Sequence, residues 1–391
     1  MTAKFTNRIP FNRPFITGKE LHYIAQAVTG SGIGGDGPFT QRCARFFETR
    51  FDIRKALMTP SCTAALEMAA MLCELGPGDE VILPSFTFVS TANAIVRLGA
   101  TPVFVDIRAD TLNLDEDLVA EAVTPRTRAI FPVHYAGVSC DMDRIMSVAE
   151  EHDLLVVEDA AQGVNAGYRG KALGSLGHLA AYSFHDTKNY ICGEGGALCV
   201  NSPEFIERAE IIRDKGTNRS RFLRGMVDKY TWVDVGSSYV PSEIACAFLY
   251  AQLEALDTIA QRRSEVYARY LRQLSPLEAD GLLSLPRVPT ECQTNHHLFH
   301  ILLPDALKRD ALMEHLKAQG IGAVFHYVPL HSSPMGLRCG YHQGPLPVTE
   351  NLSSRLLRLP LYCELTEEDQ AEVVDQVTSF LQQRGRSRAA A

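Results

Sequence analysis

The sequence predicts an α/β protein with a large domain over residues 1–250 and a smaller C-terminal α+β domain over residues 251–391. Between residues 19 and 250, short apolar runs rich in β-formers alternate with helical patterns, which is typical of βαβ units and a mostly parallel sheet. The Pro-containing segment from Leu282 to Pro289 then interrupts the regular patterns and indicates a change of domain.

Seven short runs are the predicted strands of the large sheet. They are Ala56–Met58, Glu80–Leu83, Thr101–Asp106, Ala129–Val133, Leu154–Glu158, Ala180–Phe184 and Ala197–Val200. Several of them end in Asp, Ser, Thr or His, where a helix or a turn begins. Because open α/β sheets bind ligands at their strand ends, these polar residues are the first candidates for a functional site.

The C-terminal third shows a different pattern. A long helical stretch is predicted from Ser242 to Leu274. Beyond it, Leu298 to Leu303 and Ala323 to Val328 are predicted strands, with a helix from Asp310 to Gln319 between them. The last ten residues, Gln382 to Ala391, are polar, basic and then alanine-rich, and we expect them to fray.

Composition excludes several classes of function. Lys and Arg number 38 against 46 Asp and Glu, and the net charge of -8 disfavours nucleic-acid binding. The ten cysteines never stand at the C-x-x-C spacing of a zinc or redox site, so we predict no metal site and reduced thiols. No secretory leader and no apolar run of roughly 18 residues is present, which predicts a cytoplasmic protein without a membrane span.

The segment from Met58 to Ala69 predicts a phosphate site. A strand passes through Ser61, Cys62 and Thr63 into an alanine-rich helix. The free N–H groups and the dipole of a first helical turn favour an anion, and hydroxyl groups add hydrogen bonds. The alternative is an ordinary N-cap, which the segment taken alone would favour.

Two further residues have the character of catalytic groups. Asp159 ends an apolar strand, where it could also be an N-cap or a metal ligand. Asp106, at the end of the run from Thr101, is a second such residue and could be only structural. Lys188 lies between a strand end and a glycine-rich turn, where it is either a solvated surface lysine or a Schiff-base lysine. A phosphate site, a strand-end Asp and a lysine 29 residues later are together what pyridoxal 5'-phosphate (PLP) requires.

From Ile9 to Leu361 the sequence resembles the DegT/StrS-type sugar aminotransferases, a branch of the fold-type I PLP enzymes. Within the family it is most similar to the WecE/RffA branch of common-antigen synthesis. The runs behind this resemblance are Pro84–Asn93, Pro132–Val138, Glu158–Gly163, Lys215–Ser220, Asp228–Trp232 and Phe325–His331. Val240 stands where many members carry an Asn that reaches the neighbouring subunit's cofactor, and this departure favours the same branch.

The resemblance implies a role for each cofactor residue. Lys188 would bind the PLP aldehyde and move the substrate proton, and Asp159 would hold the pyridinium proton. Gln162 would bond the ring 3-hydroxyl, and Phe88 would stack on the ring unless it is only a core residue. Three residues would hold the phosphate: Cys62, Thr63 and Ser183.

The resemblance also implies the reaction and the partners. The amino group of L-glutamate would pass through pyridoxamine phosphate (PMP) to C4 of dTDP-4-dehydro-6-deoxy-D-glucose, giving dTDP-4-amino-4,6-dideoxy-D-galactose. The enzyme would be a homodimer with shared active sites. Candidate substrate contacts are Asn218, Arg219, His326, Tyr327 and His331, although Asn218 and Arg219 could simply belong to a solvated basic loop.

Several alternatives stay open. The amine could be installed with the opposite configuration at C4, or at C3 of a related nucleotide ketosugar. A PMP-dependent sugar dehydratase is disfavoured because those enzymes replace the lysine with histidine, whereas this chain has Lys188. A PLP-bound sensor would need a further DNA-binding or membrane segment. His296 and His300 share one face of a predicted strand but are two ligands short of a zinc set.

Overall fold

The structure, a computed structural model, describes residues 7–30, 32–339 and 344–389. Its strands are β1 (Lys55–Thr59), β2 (Glu80–Pro84), β3 (Thr101–Val105), β4 (Thr127–Ile130), β5 (Leu155–Asp159), β6 (Gly167–Tyr168), β7 (Lys171–Ala172), β8 (Leu179–Ser183), β9 (Gly196–Val200), β10 (Cys292–Gln293), β11 (Phe299–Leu302) and β12 (Leu356–Leu359). Its α-helices are α1 (Glu20–Thr29), α2 (Pro38–Arg50), α3 (Cys62–Leu72), α4 (Val89–Val96), α5 (Glu116–Val119), α6 (Met142–Glu151), α7 (Ile206–Arg213), α8 (Arg219–Leu223), α9 (Glu243–Glu254), α10 (Leu256–Ala279), α11 (Ala306–Ala318), α12 (Pro334–Arg338), α13 (Pro347–Arg355) and α14 (Glu367–Ala389).

The seven predicted strands form one mixed sheet in the order β1-β9-β8-β5-β4-β2-β3. The strands from β8 to β3 run parallel, and β9 is antiparallel to both of its neighbours. This arrangement confirms the predicted α/β class with a mostly parallel sheet. The carboxyl ends of β5 and β8 therefore lie side by side, which brings the residues after them together.

Helices cover both faces of this sheet. Along β5, Val156 packs into the core beneath α6, whereas Val157 packs into the core beneath α3. Successive strand residues point to opposite faces, and both faces are buried. That is why the strands are continuous apolar runs in the sequence.

The aromatic cluster around Phe47 provides a test of how much core packing stabilises the fold. Phe47 of α2 is fully buried, and its ring centroid lies 5.4 Å from that of Phe184 and 5.6 Å from that of Tyr182. Replacing Phe47 by alanine is expected to lower the free energy of unfolding by about 3–5 kcal/mol, because it leaves a cavity between these rings. Chemical denaturation measures this change.

The control for this prediction is Leu307→Ala on α11, where the leucine is 82% exposed. It should change the free energy of unfolding by no more than about 0.5 kcal/mol. A loss at Phe47 no larger than the loss at Leu307 would contradict the prediction.

Helix α10 connects two cores. Leu256 and Ile259 pack with α2 and α9, whereas Val266 and Tyr270 pack with the strands β11 and β12. The long predicted helix is in fact two helices, α9 and α10, separated at Ala255. The predicted boundary at residue 250 lies inside α9. The division into domains of residues 1–250 and 251–391 stays a prediction.

One predicted strand is wrong. Residues 323–328 form no strand, and Val324 makes only an isolated bridge to Arg358. The antiparallel partner of β11 is β12, which the sequence did not predict. The apolar side chains of 323–328 have another environment, because Phe325 and Val328 are 47% and 61% exposed and line a cavity.

The N-terminal segment joins the C-terminal part of the fold. The Ile9 N–H donates to the Gly320 carbonyl at 3.0 Å, and the Gly322 N–H donates to the Ile9 carbonyl at 2.8 Å. This pairing leads the chain onward so that Phe11 and Asn12 reach the same cavity.

At the other end, α14 is helical to Ala389, and the last two residues of the predicted frayed tail lie outside the described residues. Within the described ranges, no helix combines the length and the apolar character needed to cross a membrane.

Candidate active site

A cavity of about 810 Å³ lies at the carboxyl ends of β5 and β8, between the large sheet and the C-terminal strands. It brings together nine of the twelve residues predicted for the site. These nine are Cys62, Thr63, Phe88, Asp159, Gln162, Ser183, Lys188, His326 and Tyr327. The other three, Asn218, Arg219 and His331, are not among its lining residues.

The start of helix α3 forms one wall of the cavity. Ser61 is the N-cap, and its hydroxyl accepts the N–H of Ala64 at 3.1 Å. The N-cap alternative is therefore correct, but it is compatible with a phosphate site because it uses only one of the free N–H groups. Thr63 Oγ1 lies 2.7 Å from Ser90 Oγ, which orients both hydroxyls at this wall.

Gly196 lets β9 approach this helix start. A Cβ atom at that position would lie 2.4 Å from the carbonyl carbon of Ser61 and 2.5 Å from the nitrogen of Cys62. Only glycine allows this spacing. Ser183 at the end of the adjacent strand β8 also lines the cavity, so hydroxyl and N–H groups converge there. This donor set fits a phosphate group.

Asp159 is the last residue of β5 and is buried. Its Oδ2 accepts the Thr91 hydroxyl at 2.7 Å, and its Oδ1 accepts the Ala161 N–H at 3.1 Å. These two bonds hold the carboxylate at the cavity wall. Asp159 is therefore a cavity residue, and its side chain does not cap a helix.

Glu158, the neighbouring acid, points away from the cavity. Its carboxylate accepts N–H groups from the turn at residues 174–177 and lies 2.9 Å from His134 Nε2. Since His134 Nδ1 accepts the Cys140 N–H at 3.2 Å, Nε2 carries the proton that is donated to Glu158. Glu158 thus holds His134 and the turn at residues 174–177 in place. Of the two acids, Asp159 is the one that lines the cavity.

Lys188 lies on the turn after β8 and lines the cavity. Burial lowers the pKa of its ammonium group below the ordinary value. The nearby Cys62 and the carboxylate of Asp159 oppose this shift of the pKa, and the charge of Arg358 adds to it. A lysine with a lowered pKa supplies the neutral amine that attacks a carbonyl carbon.

Phe88 and Gln162 take different places at the cavity. Phe88 is 57% exposed, whereas Phe86 is buried, so Phe88 is a cavity residue and not part of the core. Gln162 Oε1 accepts the Ala136 N–H at 2.7 Å, and its Nε2 donates to the Tyr327 hydroxyl at 2.9 Å. Gln162 and Tyr327 are thereby held as a pair.

The two histidines predicted to contact the substrate lie in different environments. His326 lines the cavity, with Nδ1 3.0 Å from the Tyr135 hydroxyl, and burial lowers its pKa well below the ordinary value. His331 is buried away from the lining, with Nδ1 2.6 Å from Ser85 Oγ and Nε2 3.1 Å from Glu350 Oε1. In this chain, its contacts hold the segment that carries His326.

Asn218 and Arg219 lie at the start of α8. The Asn218 side-chain oxygen accepts the Thr231 N–H at 2.7 Å, and Arg219 pairs with Asp214 at 3.3 Å. Their predicted contacts with substrate remain predictions, because neither side chain lines the cavity of this chain.

The sequence analysis assigned no cofactor or substrate role to two other cavity residues, His297 and Arg358. His297 bonds Asn189 at 2.9 Å, next to Lys188, and Arg358 projects from β12. The signal for Arg358 was a charged residue inside the apolar run from Leu356 to Leu359. Across the described part of the chain, no three His, Cys, Asp or Glu side chains are grouped so as to hold a metal ion.

Comparison with known proteins places the chain in a family. The DegT/DnrJ/EryC1/StrS aminotransferase family matches residues 15–378. The spore coat polysaccharide biosynthesis protein SpsC of Bacillus subtilis is 34% identical over 389 residues, 97% of this chain and 99% of SpsC.

Solved structures agree with this match. The aminotransferase TlmJ of Streptoalloteichus hindustanus is 31% identical, with a TM-score of 0.88 over 96% of this chain and all of TlmJ. The candidate sugar aminotransferase Spr1654 of Streptococcus pneumoniae is 26% identical and was solved in PMP and PLP forms. These align over 96% of this chain and 100% and 99% of theirs, with TM-scores of 0.89 and 0.88. The chain is thus a fold-type I, PLP-dependent enzyme that belongs to the DegT/DnrJ/EryC1/StrS aminotransferase family.

Proposed function

We propose that the protein transfers the amino group of L-glutamate to C4 of dTDP-4-dehydro-6-deoxy-D-glucose, giving dTDP-4-amino-4,6-dideoxy-D-galactose and 2-oxoglutarate. The observation that carries the transaminase part is the convergence of Lys188, Asp159 and the start of α3 on one cavity. The choice of sugar rests on the sequence runs that resemble the WecE/RffA branch. SpsC, by its name a polysaccharide biosynthesis protein, supports a role in making a cell-envelope polysaccharide.

The cavity residues fit PLP by their chemistry. In this proposal, the first turn of α3 and three polar side chains hold the phosphate, and the exposed face of Phe88 covers the ring. Gln162 bonds the ring hydroxyl. PLP, when bound, draws electrons from the substrate carbon and so makes its proton removable. The phosphate-binding side chains are Cys62, Thr63 and Ser183.

In this proposal, Lys188 and Asp159 have separate roles in the reaction. Burial lowers the pKa of the Lys188 ammonium group, which favours the neutral amine that can take a proton from the substrate carbon and return it. Asp159 supplies a fixed negative charge, and this charge favours a protonated ring nitrogen. Lys188 would thus act at the substrate carbon and Asp159 at the ring nitrogen.

We also propose that the enzyme is a homodimer whose subunits share the sites. Support comes from an exposed apolar surface between residues 222 and 235. Its most exposed members are Leu223, Met226, Trp232 and Val235, at 67%, 58%, 76% and 65%. A second copy would cover this surface, which lies beside Asn218, whose side-chain oxygen accepts the Thr231 N–H. Light scattering of the holoenzyme tests this assembly: a mass of twice the 43.1 kDa of one chain is expected, and the mass of a single chain would contradict it.

The test of the reaction is a proton NMR spectrum of the product formed from the dTDP-ketosugar, L-glutamate and the holoenzyme. A small H3–H4 coupling is expected, because an axial amine at C4 places H4 equatorially. A large coupling would identify the gluco epimer, and an amine at C3 would identify the alternative position. Absence of any aminated sugar from a cofactor-loaded enzyme would contradict the choice of substrate.

A further inference from the structure

His297 is a buried histidine that lines the cavity together with Lys188. Its Nδ1 lies 2.9 Å from the side-chain oxygen of Asn189, the residue after Lys188. The Asn189 side-chain nitrogen donates to the Asn295 carbonyl at 2.9 Å, so its oxygen faces His297 as an acceptor. The neutral imidazole therefore carries its proton on Nδ1, and Nε2 has a free lone pair.

The second ring nitrogen of His297 is available to a group in the cavity. Nε2 has no hydrogen-bond partner among the described residues and is not enclosed, so it opens on the cavity. Burial lowers the pKa of His297 well below the ordinary value, and the charge of Lys188 adds to this shift. The charges of Arg263, His326 and Arg358 act in the same direction. The imidazole is therefore neutral and brings an uncharged acceptor close to Lys188.

The backbone around His297 is held in a costly conformation. His296 has a φ of 52°, a left-handed value that is uncommon for a residue other than glycine. The buried guanidinium of Arg263 donates from Nε to the His296 carbonyl at 3.1 Å and from Nη2 to the His297 carbonyl. Asn295 is fixed as well, because its side-chain nitrogen donates to the Gln162 carbonyl at 2.7 Å. Such strain persists where surrounding contacts impose it, and it concentrates at functional sites.

His185 shows that a place in the cavity is not sufficient. It lines the cavity, but its Nδ1 lies 2.9 Å from Thr187 Oγ1 and its Nε2 lies 3.7 Å from Glu194. Both of its ring nitrogens therefore face groups of its own loop. His297 differs because only its Nδ1 is engaged by the protein, which leaves Nε2 for the cavity.

We propose that His297 is a positioning residue for Lys188: its Nε2 accepts an N–H of the free Lys188 amine and so directs the lone pair of that amine at the substrate carbon. This inference rests on the proposed transamination, in which Lys188 carries the proton. An amine held by one of its N–H groups has its lone pair oriented before the proton is transferred. A neutral acceptor suits this task better than a carboxylate, because a further negative charge would keep the lysine protonated.

The first experiment measures single-turnover half-reactions of the holoenzyme, with L-glutamate added to the PLP form and the dTDP-ketosugar added to the PMP form. Asparagine in H297N can still donate to Asn189 but has no atom at the place of Nε2, whereas glutamine in H297Q brings an amide oxygen near it. H297N is expected to slow both half-reactions by about 10- to 100-fold, because a hydrogen bond to the lysine is lost as its charge develops. H297Q should lose less, and KM should change by less than about threefold in both variants. With L-glutamate deuterated at its α-carbon, H297N should show a larger isotope effect than the wild type, because proton transfer is the slowed step.

A second measurement does not depend on turnover. Acetylation of Lys188 by acetic anhydride is followed by mass spectrometry in the PMP form, where the lysine amine is free. A hydrogen bond to Nε2 favours the lysine ammonium group, so H297N should lower the pKa of Lys188 and speed its acetylation at neutral pH by at least about threefold. General damage to the site would admit water, raise the pKa and slow the acetylation.

The matched control is H296N, one residue earlier in the chain. The His296 ring packs on Tyr267, with centroids 4.8 Å apart, and does not line the cavity. Asparagine tolerates the left-handed backbone at this position better than most residues. H296N should leave both half-reactions, the isotope effect and the acetylation of Lys188 unchanged.

Several outcomes would overturn the proposal. Wild-type rates, isotope effect and acetylation in H297N would show that Nε2 does not hold the lysine. A raised KM for one substrate, with the other half-reaction intact, would make His297 a substrate contact instead. If H297N fails to fold, H297F, which keeps the volume of the ring, must show the same losses. A wild-type enzyme that aminates no dTDP-ketosugar would contradict the proposed sugar alone, because the donor half-reaction and the acetylation still test His297.

Discussion

Replacing Lys188 by alanine is expected to reduce transamination by at least about 10⁴-fold, because one side chain supplies both the nucleophile and the proton carrier. The phosphate wall at α3 does not depend on Lys188, so the variant should still bind PLP. Its cofactor should be released by dialysis, since no covalent bond to the protein holds it. Single-turnover absorbance measurements with L-glutamate give the rate.

The control for Lys188→Ala is Lys171→Ala. Lys171 lies on β7, is exposed and does not line the cavity. It should keep the wild-type rate and the wild-type retention of PLP. If Lys188→Ala retained more than about one-hundredth of the wild-type rate, another group would have to carry the proton, contrary to the role assigned here.

The second large effect is expected for Asp159→Asn, which should reduce the rate by about 10²- to 10³-fold. Asparagine has nearly the same shape, and its side-chain oxygen can still accept a hydrogen bond from Thr91 or Ala161. What is lost is the negative charge that favours a protonated ring nitrogen. The half-reaction rate with L-glutamate and the retention of PLP are measured together.

Asp186→Asn is the control for this variant, because Asp186 lies on the lysine loop with its side chain 56% exposed and does not line the cavity. It should retain the wild-type rate. A normal rate for Asp159→Asn would show that the charge of this carboxylate is not needed. Loss of folding can be distinguished by the thermal transition of each variant.

The large sheet could be predicted from the sequence because its strands are buried on both faces. A continuous apolar run such as Leu154–Glu158 has few alternatives once it ends in polar residues and is followed by a helix. For the same reason, the residues after the parallel strands were expected at one edge. The structure brings Asp159, Ser183 and Lys188 together there.

The C-terminal part was harder to predict because its pattern depends on long-range contacts. The apolar residues of 323–328 face a cavity and not a neighbouring strand, so the short apolar run alone indicated the wrong element. The same limitation applies to His331. Its position in the sequence is close to His326, but its contacts with Ser85 and Glu350 place it behind the site. Local spacing contains no information about such partners.

For the two adjacent acids of β5, the sequence predicted the position at the strand end but not which acid faces the cavity. It identified both Glu158 and Asp159 at the strand end, and strand geometry sends them to opposite faces. Which face carries the cavity follows from the arrangement of the helices, and this required the structure. The presence of Arg358 at the site was missed for a related reason, since it depends on the cavity that β12 borders.

The pairing of Ile9 with the segment around Ile321 has a practical consequence for use of the enzyme as an immobilised biocatalyst. Phe11, two residues further on, packs against the Arg358 guanidinium at the cavity wall. A resin or fusion partner attached close to Asn7 would be only four residues from Phe11 and could displace that side chain from the cavity wall. The exposed face of α11 around Leu307 is the better place for attachment chemistry, because it lines no part of the cavity.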